Sequence, residues 1–197
     1  MDLKLNLPSA PCVICVTGQM AAGKNYICKK LTEQNENLVS IDSDQTVHEA
    51  ISLCTPQIAE AFGGEAKKAG INLQNADGTL NRKALGALIF PRPELLKKQE
   101  GIVYPKTIEL TKNYIEENNS KGRSVIINAT VLYKIPSLME MCSMIVFVKA
   151  PFFTRLMRAK RRDRLPIRQI LARFKSQRNL LSEYRKTGIE VVVIENR

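Results

Sequence analysis

No apolar run in this chain reaches the roughly 18 residues that a membrane-spanning helix needs. The opening residues Met1-Asp2-Leu3-Lys4-Leu5-Asn6 also lack the basic start, apolar middle and small-residue cleavage site of a secretory leader. A cytoplasmic protein with no membrane partner is the expectation. Cysteine is scarce and odd in number, five in 197 residues, which argues against a disulfide framework. Cys12 and Cys15 have the spacing of a metal or redox pair, but residues three apart in a strand face opposite sides of a sheet. They are expected to be small buried hydrophobes. Histidine occurs once, as His48, and a lone histidine more often packs or is solvated than does chemistry. No internal repeat and no low-complexity segment is visible. The hydrophobic content of 44% with 25% charged residues suits one globular domain with a small insertion.

Acids are scarce where bases are dense. Between Arg155 and Lys186 lie twelve Lys/Arg against two acids, which supplies +10 of the net +11. Such a concentrated basic segment suits a polyphosphate ligand as well as a nucleic-acid backbone. Aromatic residues do not interleave with it as base-stacking platforms would, because Phe174 and Tyr184 stand alone. A small phosphorylated ligand is therefore expected, and a nucleic-acid partner is not.

What is present begins with Gly18-Gln19-Met20-Ala21-Ala22-Gly23-Lys24, the GxxxxGK phosphate loop, directly after the apolar run Val13–Val16. Backbone N–H groups of such a loop turn toward phosphate oxygens, the glycines permit close approach, and the lysine reaches the terminal phosphoryl group. The positive end of the following helix adds to the same spot. A bound nucleoside triphosphate is the expectation. Asn25 stands where a serine or threonine hydroxyl normally ligates magnesium; its amide oxygen is the candidate metal ligand.

Short apolar runs at 13–16, 38–41, 124–127, 144–148 and 191–194 read as five buried strands. Helical spacing appears at 25–31, 82–89, 105–117, 154–160 and 168–181. Strand alternating with helix predicts a parallel sheet covered on both faces, with ligands beyond the carboxyl ends of the strands. The stretch from Ala50 to Pro105 is long for one crossover and reads as a helical insertion.

Ile41-Asp42-Ser43-Asp44 closes the second strand. Two carboxylates two apart in a strand would share a face, where they could meet the γ-phosphate, its magnesium or an acceptor hydroxyl losing its proton. Asp44 reads equally as a helix N-cap, with His48 one helical turn on. In the basic segment, Arg158 and Arg162, one turn apart, are the best candidates for cations around a transferring phosphoryl group; a solvated basic face is the alternative.

In order and spacing these pieces resemble the dephospho-coenzyme A kinase family over nearly the whole chain. The resemblance rests on Thr17-Gly18, Asp42-Ser43-Asp44, Phe62-Gly63, the run Ala76-Asp77-Gly78-Thr79-Leu80-Asn81-Arg82-Lys83-Ala84-Leu85-Gly86, Ile89-Phe90, Pro93-Glu94, Arg158, Arg162-Asp163, Gln177 and Val193-Ile194-Glu195-Asn196. It implies a P-loop nucleoside-kinase-like α/β fold of three layers with a five-stranded parallel sheet. The core would occupy 11–49 and 120–197, a helical acceptor-binding insertion 50–119, and a basic lid 155–178. It further implies ATP on Gly18 through Tyr26, Mg2+ at Asn25, and dephospho-coenzyme A in a cleft between insertion and core. Asp42, Asp44, His48 and Arg82 would bind that acceptor. Lys24, Asp42, Asp44, Arg158 and Arg162 would be catalytic, with Asp44 favoured over Asp42 as base. A monomer or weak homo-oligomer is expected.

Three replacements depart from the family pattern: Asn25 in the loop, Tyr104 before Pro105 in place of histidine, and Asn128-Ala-Thr130-Val-Leu132-Tyr-Lys134 in place of a Pro-Leu-Leu segment ending in an acid. They keep two alternatives in view, a kinase for another acceptor and a non-catalytic nucleotide- or coenzyme A-binding regulator.

Overall fold

The computed structural model describes residues 5–196. In chain order these form β1 (Val13–Gly18), α1 (Lys24–Gln34), β2 (Leu38–Asp42), α2 (Ser43–Leu53), α3 (Thr55–Lys68), α4 (Arg82–Ile89) and α5 (Pro93–Asn119). After them come β3 (Ser124–Asn128), α6 (Pro136–Met139), β4 (Met144–Lys149), α7 (Phe152–Asp163), α8 (Ile167–Ser176), α9 (Leu180–Arg185) and β5 (Val191–Glu195). The chain divides into two compact units: one runs up to Ser43 and resumes at Asn113, and the other is Asp44–Lys112.

The first unit carries the five expected strands, all parallel, in the order β2-β3-β1-β4-β5. β1 and β3 are buried at every position. Helices cover both faces of a parallel sheet, so its strands read as unbroken apolar runs with no alternation. Ile14 and Val16 pack with Ile126, Val146 and the buried face of α1, Ile27, Cys28 and Leu31. Burying a side chain such as Ile27 or Leu31 stabilises by about 1.5–3 kcal/mol. Cys12 joins that cluster, whereas Cys15 lies beside Cys142 and Tyr184. The two sulfurs diverge, and all five cysteines are free and buried.

The second unit is helical, with Ala50, Ile58, Phe62, Leu85, Leu88 and Val103 in its core. The distinctive run at 76–82 is a built turn. Asp77 Oδ1 accepts from the Thr79 N–H at 3.0 Å and from its hydroxyl at 2.6 Å. Gly78 adopts φ +80° there, and Asn81 caps α4 by accepting from the Ala84 N–H at 3.0 Å.

Two expected helices have different limits. The helix expected at 105–117 is the end of the longer α5, which carries Pro105 inside it. A proline at a helix start and one that merely removes an internal hydrogen bond look alike in sequence. The helix expected at 168–181 is broken into α8 and α9. At the break Gln177 turns both its carbonyl and its side chain to the phosphate loop, so tertiary bonding overrides helical periodicity.

Candidate active site

The loop leaving β1 shows why its glycines are there. At Gly18 a Cβ would collide with the Val148 carbonyl of the adjacent β4, and at Gly23, with φ +96°, it would collide with the Asn196 carboxamide. Only glycine tolerates both the approach and the left-handed backbone. Ala21 also takes a positive φ, 59°. Three side chains hold the loop. Arg155 donates from Nε to the Met20 carbonyl at 3.0 Å and from Nη1 to Gln19 Oε1 at 2.6 Å. Gln177 accepts from the Met20 N–H at 2.5 Å, and its carbonyl takes Gln19 Nε2 at 3.2 Å. Asn196 donates to the Ala22 carbonyl at 2.8 Å. α1 then begins at Lys24, and its N-cap Gly23 offers no side chain to the first-turn N–H groups, which leaves them suited to an anion. Lys24 Nζ donates to the Gly18 carbonyl at 3.3 Å, folded back over the cradle. Tyr26 is half exposed.

α7 presents its cations to this loop with helical spacing. Ala21, Gly23, Lys24 and Asn25 on one side and Arg158, Arg161 and Arg162 on the other line an open recess of about 560 Å³. Arg158 Nη1 is buried without a hydrogen-bond partner and lies 3.6 Å from where a Gly23 Cβ would sit. A buried, unpartnered guanidinium nitrogen beside a phosphate loop fits an anionic oxygen. Arg162 forms a two-point pair with Asp163 at 2.7 and 3.2 Å, and that bonding lowers the Asp163 pKa below its ordinary value. Arg155, three residues before Arg158, is turned inward. It is 6% exposed, lies 4.1 Å from the Phe174 ring centre, and burial lowers its pKa.

At the carboxyl ends of β2 and β3, Asp42 is paired in register with Asn128. Asn128 Nδ2 lies 3.0 Å from Asn25 Oδ1 and 3.5 Å from Asp42 Oδ2. Beyond β3, Thr17 Oγ1 and the Tyr184 hydroxyl both donate to the Thr130 carbonyl at 3.2 Å, and the Leu132 N–H donates to Tyr184 at 2.9 Å. Tyr184 is fully buried, and burial raises its pKa, so it stays a neutral clamp on the loop after β3.

The expected site residues therefore fall into two groups. Gly18 through Tyr26, Asp42, Arg158 and Arg162 belong to the sheet unit; Asp44, His48 and Arg82 belong to the helical one. Asp44 and His48 are exposed on α2, one turn apart. Arg82 opens α4 and, with Ser52, Thr55, Asn75 and Asn81, lines a polar recess of about 540 Å³. The expectation that Asp42 and Asp44 share a strand face is corrected, because β2 ends at Asp42 and α2 begins at Ser43. Asp44 accordingly lies inside the first turn of α2 and is not its N-cap. Tyr104 donates to Glu100 at 3.0 Å within α5, and burial first, then that carboxylate, push its pKa up to about 12. Lys134 is exposed in the short turn Leu132–Lys134.

Magnesium would draw on Asn25 and Asp42, two oxygen donors of the hard type this cation prefers. Among the described residues no group of three or more His, Cys, Asp or Glu could hold a metal ion. Sequence reasoning missed the loop-holding roles of Arg155, Gln177 and Asn196, and the link made by Asn128. The first is foreshadowed by the spacing of 155, 158 and 162, one face of a helix. Gln177 and Asn196 enter only through the family resemblance and Asn128 only as part of a departing segment; nothing local shows what they bond, since their partners lie more than eighty residues away.

Comparison with known proteins bears on the acceptor. The family model for dephospho-CoA kinase matches residues 12–197. A dephospho-CoA kinase of Treponema denticola is 35% identical over 194 residues, 98% of this chain and 85% of that protein. One from Treponema pallidum is 28% identical over 185 residues, covering 93% and 86%. A crystal structure from Thermus thermophilus matches with TM-score 0.75 at 24% identity, over 95% of this chain and 89% of that one. A dephospho-CoA kinase from Campylobacter jejuni matches at 0.62 and 19%, over 94% and 88%. These two structural matches show the shared α/β fold.

Proposed function

The chain belongs to the dephospho-coenzyme A kinase family of ATP-dependent kinases in coenzyme A biosynthesis, and on that premise we propose that it transfers the γ-phosphoryl group of ATP to the ribose 3′-hydroxyl of dephospho-coenzyme A, giving coenzyme A and ADP. The observation that carries this is the cradle itself: a P-loop held by Arg155, Gln177 and Asn196 and facing a buried guanidinium nitrogen with no protein partner.

Loop N–H groups and Lys24 bind the triphosphate. Arg158, with Arg161 and Arg162 along the same recess, offsets charge that spreads over the equatorial oxygens of the moving phosphoryl group. Preorganised cations in a partly dry site stabilise that charge more than water would. Asn25 and Asp42 would hold magnesium, which neutralises and orients the phosphates when bound. The acceptor proton goes to a carboxylate as the new O–P bond forms; Asp44 takes that role, and Asp42 stays with the metal. His48 and Arg82 bind the acceptor. The protein acts in the cytoplasm on a diffusing small molecule, as a monomer or weak homo-oligomer, without a nucleic-acid partner. Among the described residues no helix is long and apolar enough to cross a membrane.

A panel of acceptors tests the assignment. ADP formation with dephospho-coenzyme A and not with adenosine, nucleoside monophosphates or pantetheine compounds lacking the nucleotide is the expected outcome. Equal turnover on another acceptor would redirect it, and tight ATP binding with no turnover on any acceptor would favour a binding role.

A further inference from the structure

Asn25 stands where the phosphate loop usually offers a hydroxyl, and a carboxamide can turn either an oxygen or an NH2 group toward a cation. Only the oxygen is a magnesium ligand. Something must therefore choose the rotamer, and the hydrogen bonds around Asn128 make that choice in steps. Asp42 ends β2, and its Oδ2 faces Asn128 as a hydrogen-bond acceptor. Asn128, facing Asp42 Oδ2 at 3.5 Å, must then present its nitrogen on that side. The same nitrogen faces Asn25 at 3.0 Å, so the group Asn25 presents there must be an acceptor, its Oδ1. The orientation of the loop amide thus follows from a carboxylate it does not touch directly.

The backbone gives this relay a fixed base. Asn128 is 7% exposed and is paired in register with Asp42 on β2 and Val16 on β1, so its Cα is held by strands on both sides. Asn25, in contrast, is exposed on the first turn of α1, where an unrestrained carboxamide would rotate. A neutral amide also suits position 128 better than an acid: a second carboxylate that close to Asp42 would repel it by several kcal/mol at an effective dielectric of about 20.

We infer that Asn128 is a positioning residue for the magnesium site, acting through Asn25: its NH2 group holds the loop carboxamide by the oxygen, fixing one rotamer, so that an asparagine serves where a hydroxyl is usual. This rests on the kinase assignment above. Residues that orient a metal ligand typically contribute 10- to 100-fold in metal affinity.

The test is ATP binding to the full-length protein by calorimetry, titrated with Mg2+ and repeated in EDTA, with no acceptor present so that turnover does not enter. Asn128→Ala is expected to raise the Mg2+ concentration needed for half-maximal enhancement of ATP binding by about tenfold, with ATP affinity in EDTA unchanged. In an Asn25→Ser background, whose hydroxyl needs no amide lock, the further change Asn128→Ala is expected to have no effect on the Mg2+ requirement. Should Asn128→Ala fail to fold, Asn25→Ala on the exposed helix turn is expected to give the same tenfold shift with the sheet untouched. An Mg2+ requirement unchanged in either alanine variant overturns the inference, as does a loss that is equal in EDTA or persists beside Asn25→Ser. Wild-type protein that binds no ATP would overturn the kinase assignment as well, a result distinguishable from wild-type binding with an unresponsive Asn128→Ala.

Discussion

Replacing Arg155 by methionine would remove the guanidinium while keeping most of the stem, and the structure sets opposing terms on the result. Two hydrogen bonds from a charged donor are lost, at 3.0 Å to the Met20 carbonyl and 2.6 Å to Gln19, each worth about 1.5–3 kcal/mol. The stacking on Phe174 adds about 0.5–2 kcal/mol. Against this, among the described residues no ion pair involves Arg155, so its burial carries an uncompensated desolvation cost of several kcal/mol that methionine relieves. The net loss of stability should be small, about 1–2 kcal/mol, or a fall in Tm of roughly 2–8 °C for a chain of this size.

The consequence for the loop should be larger than for the fold. Without Arg155 the Met20 carbonyl and the Gln19 side chain lose their fixed partner, and ATP must order the loop there on binding at about 1–2 kcal/mol per residue. Met20 keeps its bond to Gln177, so roughly one residue's worth falls on the ligand, a five- to thirtyfold weaker ATP affinity. Calorimetry alongside thermal melts reads both numbers. ATP affinity within twofold of wild type, with Tm lowered by far more than 8 °C, would show that Arg155 stabilises the core and does not set the loop, and would refute this reasoning.

Two other perturbations have definite signs. Lys24→Ala should lower kcat by about 10²–10³-fold, the usual loss for one preorganised electrostatic group; near-normal turnover in a folded variant would exclude Lys24 from the chemistry. The thiols of Cys28 and Cys142 are pushed by burial from 9.0 up to about 12. Below pH 9 folded and unfolded chains both keep these protons; between 9 and 12 only the unfolded chain sheds them, so stability is lost as pH rises, by about 1.4 kcal/mol per pH unit per thiol. Denaturant titrations at pH 8 to 10.5 should show a shallower loss in Cys142→Ala than in wild type, and an identical slope would contradict the burial argument.

Much of this was legible because it is local. The phosphate loop is a contiguous motif whose glycines answer to φ and to close approach, and the five strands are unbroken apolar runs because both sheet faces are covered. Asn25 announced itself as a departure. What the sequence does not display is pairing over long separation. Arg155, which the sequence shows only as the start of a basic segment, is a buried tie to Gln19 and Met20. Gln177 breaks a helix that periodicity would continue. Asn128 matters only because β3 lies between β1 and β2, a strand order that no single segment encodes. Asp44 shows the opposite failure: a local pattern, two acids two apart, suggested one strand face, but the chain turns helical at Ser43.

The central claim is tested most directly by incubating purified protein with Mg·ATP and dephospho-coenzyme A and analysing the nucleotide products by mass spectrometry, with Lys24→Ala in parallel. The account predicts acceptor-dependent ADP and a product one phosphoryl group heavier than dephospho-coenzyme A, identical to coenzyme A, both formed about 10²–10³-fold more slowly with Lys24→Ala. A folded, ATP-binding wild-type protein that leaves dephospho-coenzyme A unmodified would contradict it.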